Sequence, residues 1–116
     1  MENVMNKLTY DDLKEVFDGE KNLTGKPIYI DFYADWWGPC RMFNSVLDEI
    51  APEYEDKINM YKVDIEESPE IAAMFGARGI PYMVFISESG EASPNVGALT
   101  TDQMKYYFDG LISKSE

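Results

Sequence analysis

The chain has 116 residues, room for one domain, and its 45% apolar and 14% aromatic content supports a core without disulfide or metal help. Ten basic against twenty-two acidic residues leave a formal charge of −12, which argues against nucleic acid and anionic membrane as partners and favours solubility and basic partners. One cysteine and no histidine exclude an intrachain disulfide, a multi-cysteine metal site and every catalytic triad built on a histidine base.

The first twelve residues lack the basic and apolar regions of a signal peptide, and no apolar run approaches the ~20 residues of a membrane span. A cytoplasmic location is the expectation, although a mature secreted form would read the same way. Thr9 is positioned to cap a first helix over Tyr10–Phe17, with Asp11 and Asp12 in its acidic first turn. Residues 21–26 read as a loop. Pro27 opens a strand, Ile28–Tyr33, rich in β-branched and aromatic residues. Ala34–Pro39 reads as a turn, and a long helix is predicted from Cys40 to about Tyr54. Its apolar stripe is Phe43, Val46, Leu47 and Ile50, and Pro52 should end or kink it.

Met60–Ile65 reads as a further strand, and Pro69–Phe75 as a short helix capped by Ser68 with Pro69 in its favoured first position. Gly79-Ile80-Pro81 marks a turn before the strand Tyr82–Ile86. Ser87–Gly90 makes a hairpin loop into a weaker strand, Ala92–Val96, which Pro94 assigns to a sheet edge. The last helix opens on a capping box of Thr100 and Gln103, with Met104, Tyr107, Phe108 and Leu111 along one face. The seven methionines read as core filling, and the acidic stretch Asp64–Glu70 as a solvated face without a fixed metal-ligand set. Alternating elements from end to end imply α/β, a central mixed sheet of four or five strands with helices on both faces, in one domain spanning 1–116.

The chemically informative run is Asp31-Phe32-Tyr33-Ala34-Asp35-Trp36-Trp37-Gly38-Pro39-Cys40, a strand entering a tight turn from which a helix leaves. Unpaired amides at a helix start stabilise a thiolate placed beside them. A second thiol three residues on would lie one helical turn away, within bridging reach. That is the logic of Cys-x-x-Cys, and it needs two sulfurs.

Trp36-x-Gly38-Pro39-Cys40 resembles the W-C-G-P-C site of the thioredoxin family. The likeness extends through Tyr61-Lys62-Val63-Asp64, Arg78-Gly79-Ile80-Pro81 and Val96-Gly97-Ala98-Leu99, in the family's order. It implies a thioredoxin fold, a three-layer α/β/α sandwich, and protein-disulfide reduction with electrons from a thioredoxin reductase. It implies protein or peptide disulfides as substrates. No cofactor and no metal are expected, and the sequence permits a monomer, which is the expectation. In the family the first cysteine attacks the substrate disulfide and the second, matching Cys40, resolves the mixed disulfide. A buried acid matching Asp31 takes the proton of that second thiol, with the lysine matching Lys62 nearby. The cis-proline loop, matching Ile80 and Pro81, binds substrate backbone. Trp36, Gly38, Pro39, Val96 and Gly97 complete the substrate surface.

Two residues depart from the family pattern. Trp37 stands where the attacking cysteine belongs, so the dithiol cycle is expected to be disabled. Ser45 replaces a kink-forming proline, which affects the bend of the long helix and leaves the chemistry alone. Cys40 is expected to be a shielded, inert thiol, with slow monothiol reactivity as the alternative. Asp31 is expected to be a buried acid of raised pKa with Lys62 as its partner, although an exposed edge position fits the strand pattern alone equally well. The exposed pair Trp36 and Trp37 serves either as a retained binding surface or, through Trp37, as a plug of the groove. Three histories fit: a lineage that lost the dithiol cycle, an ordinary disulfide reductase with its first cysteine changed, and a redox-inactive interaction module. The retention of Asp31, Lys62, Gly38, Pro39 and Pro81 favours a recent loss within a reductase lineage.

Overall fold

The computed structural model describes residues 5–114. Its elements in chain order are β1 (Asn6–Lys7), α1 (Tyr10–Val16), β2 (Ile28–Tyr33), α2 (Gly38–Tyr54), β3 (Asn59–Asp64), α3 (Pro69–Phe75), β4 (Tyr82–Ile86), β5 (Ala92–Val96) and α4 (Thr101–Ser113). The five strands form one mixed sheet in the order β1-β3-β2-β4-β5. β1 and β2 each run parallel to β3, and β4 runs antiparallel to both β2 and β5.

Alternation along the strands sorts two cores. Ile28, Ile30 and Phe32 of β2, with Tyr82, Val84 and Ile86 of β4, pack with Leu13 and Phe17 near α1 and Ile71 of α3. Tyr29, Met60, Met83 and Phe85 face the other way, onto Phe43, Leu47 and Ile50 of α2 and Met104, Phe108 and Leu111 of α4. The sheet is therefore sandwiched between two helix layers. β2 is buried at all six positions, as a central strand covered on both faces must be.

The predicted caps form at two helices. Thr9 Oγ1 accepts from the Asp12 amide at 3.1 Å, and Thr100 and Gln103 exchange both bonds of a capping box. Ser68 occupies the N-cap of α3, but its hydroxyl makes no capping bond. Its backbone, at φ −131° and ψ 63°, is not the extended conformer that aims a cap side chain at the first amides; its carbonyl accepts from Ile71 and Ala72 instead. Pro52 neither ends nor precedes the end of α2 by a full turn: it lies inside the last turn, and the helix runs on to Tyr54. The short edge strand β1 escapes the sequence signals because two residues carry no periodicity.

Three core assignments are corrected. Met42 and Met74 are exposed, whereas Met5, Met60, Met83 and Met104 are buried; Met1 lies outside the described residues. Tyr107 is 43% exposed and flanks the buried stripe, its ring stacked on Phe85 at 5.3 Å. The loop of the β4–β5 hairpin lies against Glu20 and Lys21. Gly90, at φ +105°, stands where a Cβ would lie 2.1 Å from the Glu20 carbonyl oxygen, so only glycine fits.

Candidate functional site

The topology delivers four segments to one end of the sheet. β2 ends there at Tyr33 and β3 at Asp64, the antiparallel β4 starts there, and β5 ends there at Val96. The chain leaving β2 turns at residues 34–37, with the Trp37 amide donating to the Ala34 carbonyl at 3.1 Å. The helix then starts at Gly38, two residues before the predicted start, with Pro39 in its first turn, where the missing N–H costs nothing. Cys40 is thus the third helical residue, and its amide and that of Arg41 donate to the Trp37 carbonyl.

Trp37 is the N-cap residue of α2 and makes no side-chain capping bond. An indole is a donor only, so it cannot satisfy the free amides of a helix start. It turns away and donates Nε1–H to the Ile80 carbonyl at 3.0 Å. That bond ties the N-cap of α2 to the loop that precedes β4. The Ile80–Pro81 peptide bond is cis, and the Pro81 carbonyl accepts from the Gly97 amide at 2.8 Å. Gly97 holds φ +94°, a left-handed conformation suited to glycine. Val96 is exposed, and its Cγ1 reaches within 3.2 Å of where a Cβ on Gly79 would stand. Trp37, Ile80, Val96 and Gly97 therefore border one surface, whereas Pro81, expected from the sequence to belong to it, is itself buried. Pro39 is exposed beside it, and Gly38 and Ile80 are half-buried.

Trp36 carries the second exposed ring, 63% accessible and edge-to-face with Trp37 at 5.8 Å between centroids. Its Nε1–H donates to the Glu66 carboxylate. The acidic stretch after β3 is thus not only a solvated face. Glu66 orients an indole of the site, and Glu67 pairs with Lys7 at 3.0 Å. The signal that could have found Glu66 is topological: β2 and β3 are parallel neighbours, so the segments following each lie side by side.

Behind this surface lie the thiol and the acid. Cys40 is 1% exposed. Burial pushes its pKa up, the nearby Asp31 charge pushes the same way, and a hydrogen bond to the Ala34 backbone opposes both. Asp31 is also 1% exposed, on the α2 side of β2, which rules out the edge position. Its Oδ1 has no hydrogen-bond partner among the described residues. Desolvation raises its pKa from 3.8 to about 7, with Lys62 drawing it part of the way back. Lys62 is the register partner of Asp31 across the β2–β3 ladder, so both side chains emerge on the same face. The two line a polar cavity of about 140 Å³ together with Tyr33, Asp35, Asn44 and Asp48, which gives the buried carboxyl a polar outlet. Sequence reasoning missed a second buried oxygen, the hydroxyl of Tyr29, which is fully buried without a partner two residues before Asp31.

Among the described residues no group of three or more histidine, cysteine, aspartate or glutamate side chains could hold a metal ion, and no helix is long and apolar enough to cross a membrane.

Comparison with known proteins agrees with this geometry. The thioredoxin family model matches residues 9–109. A thioredoxin of Acidithiobacillus ferridurans is 34% identical over 96 residues, covering 83% of this chain and 89% of its own. One from Pyropia yezoensis is 41% identical over 87 residues, 75% of this chain and 81% of its own. Among solved structures, the thioredoxin of Malassezia sympodialis superposes with a TM-score of 0.78 at 30% identity, covering 97% of this chain and 93% of its own. Chloroplastic thioredoxin z shares the fold, with a TM-score of 0.81 at 23% identity over 97% of this chain and 98% of its own. Sheet order, helix layers, site placement and sequence kinship converge, and the chain belongs to the thioredoxin family of thiol–disulfide oxidoreductases.

Proposed function

We propose that this chain binds protein or peptide substrates of the disulfide-reductase type at the Trp36–Trp37, Ile80–Pro81 and Val96–Gly97 surface, and does not complete a dithiol cycle. The single observation that carries this reading is the occupancy of the N-cap of α2 by Trp37, whose side chain has neither a nucleophilic atom nor an acceptor for the helix amides. Cys40 lies one helical turn on, buried and of raised pKa, so it is a poor substitute for an exposed thiolate. Asp31, whose charge acts on Cys40, would serve as its proton acceptor with Lys62 as partner, a task with no use until a mixed disulfide has formed. The remaining chemistry is a slow monothiol reaction of Cys40.

One observation favours a second reading, a redox-inactive interaction module. The Trp37 indole already donates to the Ile80 carbonyl, so an incoming peptide meets a backbone acceptor with one of its two lone pairs taken. The two readings share a monomeric, 1–116 single-domain, cytoplasmic protein and differ in what a restored thiol would do.

Insulin-disulfide reduction separates them. With dithiothreitol as reductant, the parent chain is expected to show no turnover and Trp37→Cys to gain strong activity. Turnover by the parent equal to that of the variant would refute the disabled cycle. An inactive but folded Trp37→Cys would favour the interaction module.

A further inference from the structure

The two tryptophans form an open aromatic corner. Their rings meet at 74°, and they remain 63% and 41% exposed. An indole face carries the negative lobe of the ring quadrupole, so two such faces set nearly at right angles attract a cation from two sides. The immediate surroundings have the same sign. Glu66 accepts a hydrogen bond from the Trp36 indole N–H, which sets a carboxylate at the edge of that ring. Asp35 is exposed next to it in the chain, within a molecule of net charge −12. Arg41 and Arg78 are the exposed cations on the adjoining segments. Among the described residues, however, the cation seated over a ring is Lys14, on Tyr10 at 4.6 Å. The ring surface that the edge-to-face pair leaves exposed is thus open to a cation from outside.

We propose that the Trp36–Trp37 corner docks an arginine side chain of a basic peptide segment, with Glu66 and Asp35 supplying the charge complement. Arginine fits better than lysine because its planar, weakly hydrated guanidinium stacks flat on one indole and still presents N–H donors at its edge to a carboxylate. This rests on the peptide surface proposed above and names the sequence class that the surface selects. Trp37 already takes one lone pair of the Ile80 carbonyl, which leaves a single acceptor position there for a peptide backbone and gives side-chain recognition a larger share of the contact.

The test uses the full chain and two short dye-labelled synthetic peptides, each carrying its own disulfide, identical except that arginine in one is citrulline in the other. Citrulline keeps the shape and loses the charge. Fluorescence anisotropy is expected to show the arginine peptide binding about fivefold more tightly, the fold-change of a solvent-exposed cation–π contact. Trp36→Leu, at an exposed position that leaves the fold intact, should abolish that advantage, and Glu66→Gln should reduce it. Equal binding of both peptides would overturn the corner and leave the peptide surface standing. An arginine advantage undiminished in Trp36→Leu would also overturn it, since attraction to the overall charge would then suffice. Failure of both peptides to bind would overturn the corner and the surface together.

Discussion

Asp31→Asn should remove one loss of stability that the fold suffers between pH 4 and pH 8. The carboxyl is 1% exposed, with Oδ1 unpartnered, and burial raises its pKa from 3.8 to about 7. The folded protein therefore holds its proton more tightly than the unfolded chain. Below about pH 4 both states are protonated and the group contributes no penalty. As pH rises, the unfolded chain releases the proton first, and stability falls until the folded carboxyl ionises near pH 7. At about 1.4 kcal/mol per pH unit, the interval between the two pKa values amounts to about 4 kcal/mol lost by pH 8. Asparagine keeps the shape without the charge, so the packing cost of the substitution is the same at every pH. Urea unfolding followed by circular dichroism at pH 4, 5.5, 7 and 8 should show the variant gaining on the parent by about 4 kcal/mol across that range. The polar cavity beside Asp31, which admits solvent, can lower the gain to about half that value. Stability curves for parent and variant that run parallel from pH 4 to pH 8 would refute the desolvation argument.

Lys62→Met should move the Asp31 midpoint above about 7, because Lys62 supplies the attraction that opposes desolvation; carboxyl titration by infrared or NMR spectroscopy checks this, and an unchanged midpoint counts against the pairing. Cys40 should react slowly with a thiol reagent in the native state at neutral pH and fast in urea, given its burial and raised pKa. Asp31→Asn should speed the native reaction at pH 8 by removing a neighbouring negative charge, and equal native and denatured rates would show that the thiol is not shielded. Tyr54→Phe should lower stability by about 1 kcal/mol in the same urea assay. It deletes the 2.8 Å bond that the Tyr54 hydroxyl donates to Asp109, which joins α2 to α4, and a neutral effect would mean that bond contributes nothing.

Much of the fold was legible along the chain because it is written in short-range chemistry. The alternating and buried runs of β2 and β4, the Thr9 and Thr100 caps and the edge proline at Pro94 each depend on residues a few positions apart. That the chain carries a single thiol was equally plain, since one cysteine is a count. The misreadings fell where a residue's fate depends on a distant segment. Met42 and Met74 share the composition of core methionines and face solvent. Tyr107 sits at helical spacing with Met104 and Leu111, yet it lies at the rim of the stripe, where Phe85 covers only one side. Ser68 has the cap residue type without the cap backbone angles.

By itself, the sequence determined that the chain carries one sulfur, placed after a strand and a turn, with an acid, a lysine and an Ile-Pro loop elsewhere along it. Only the tertiary structure decided what the tryptophans before that sulfur touch. Trp37 spends its one donor on Ile80, forty-three positions away in the chain, and Trp36 spends its own on Glu66, thirty positions away. Neither partner is encoded near the tryptophans. The parallel β2–β3 and antiparallel β2–β4 pairings bring them there, because where a strand ends in space is set by its neighbours in the sheet and not by its neighbours in sequence.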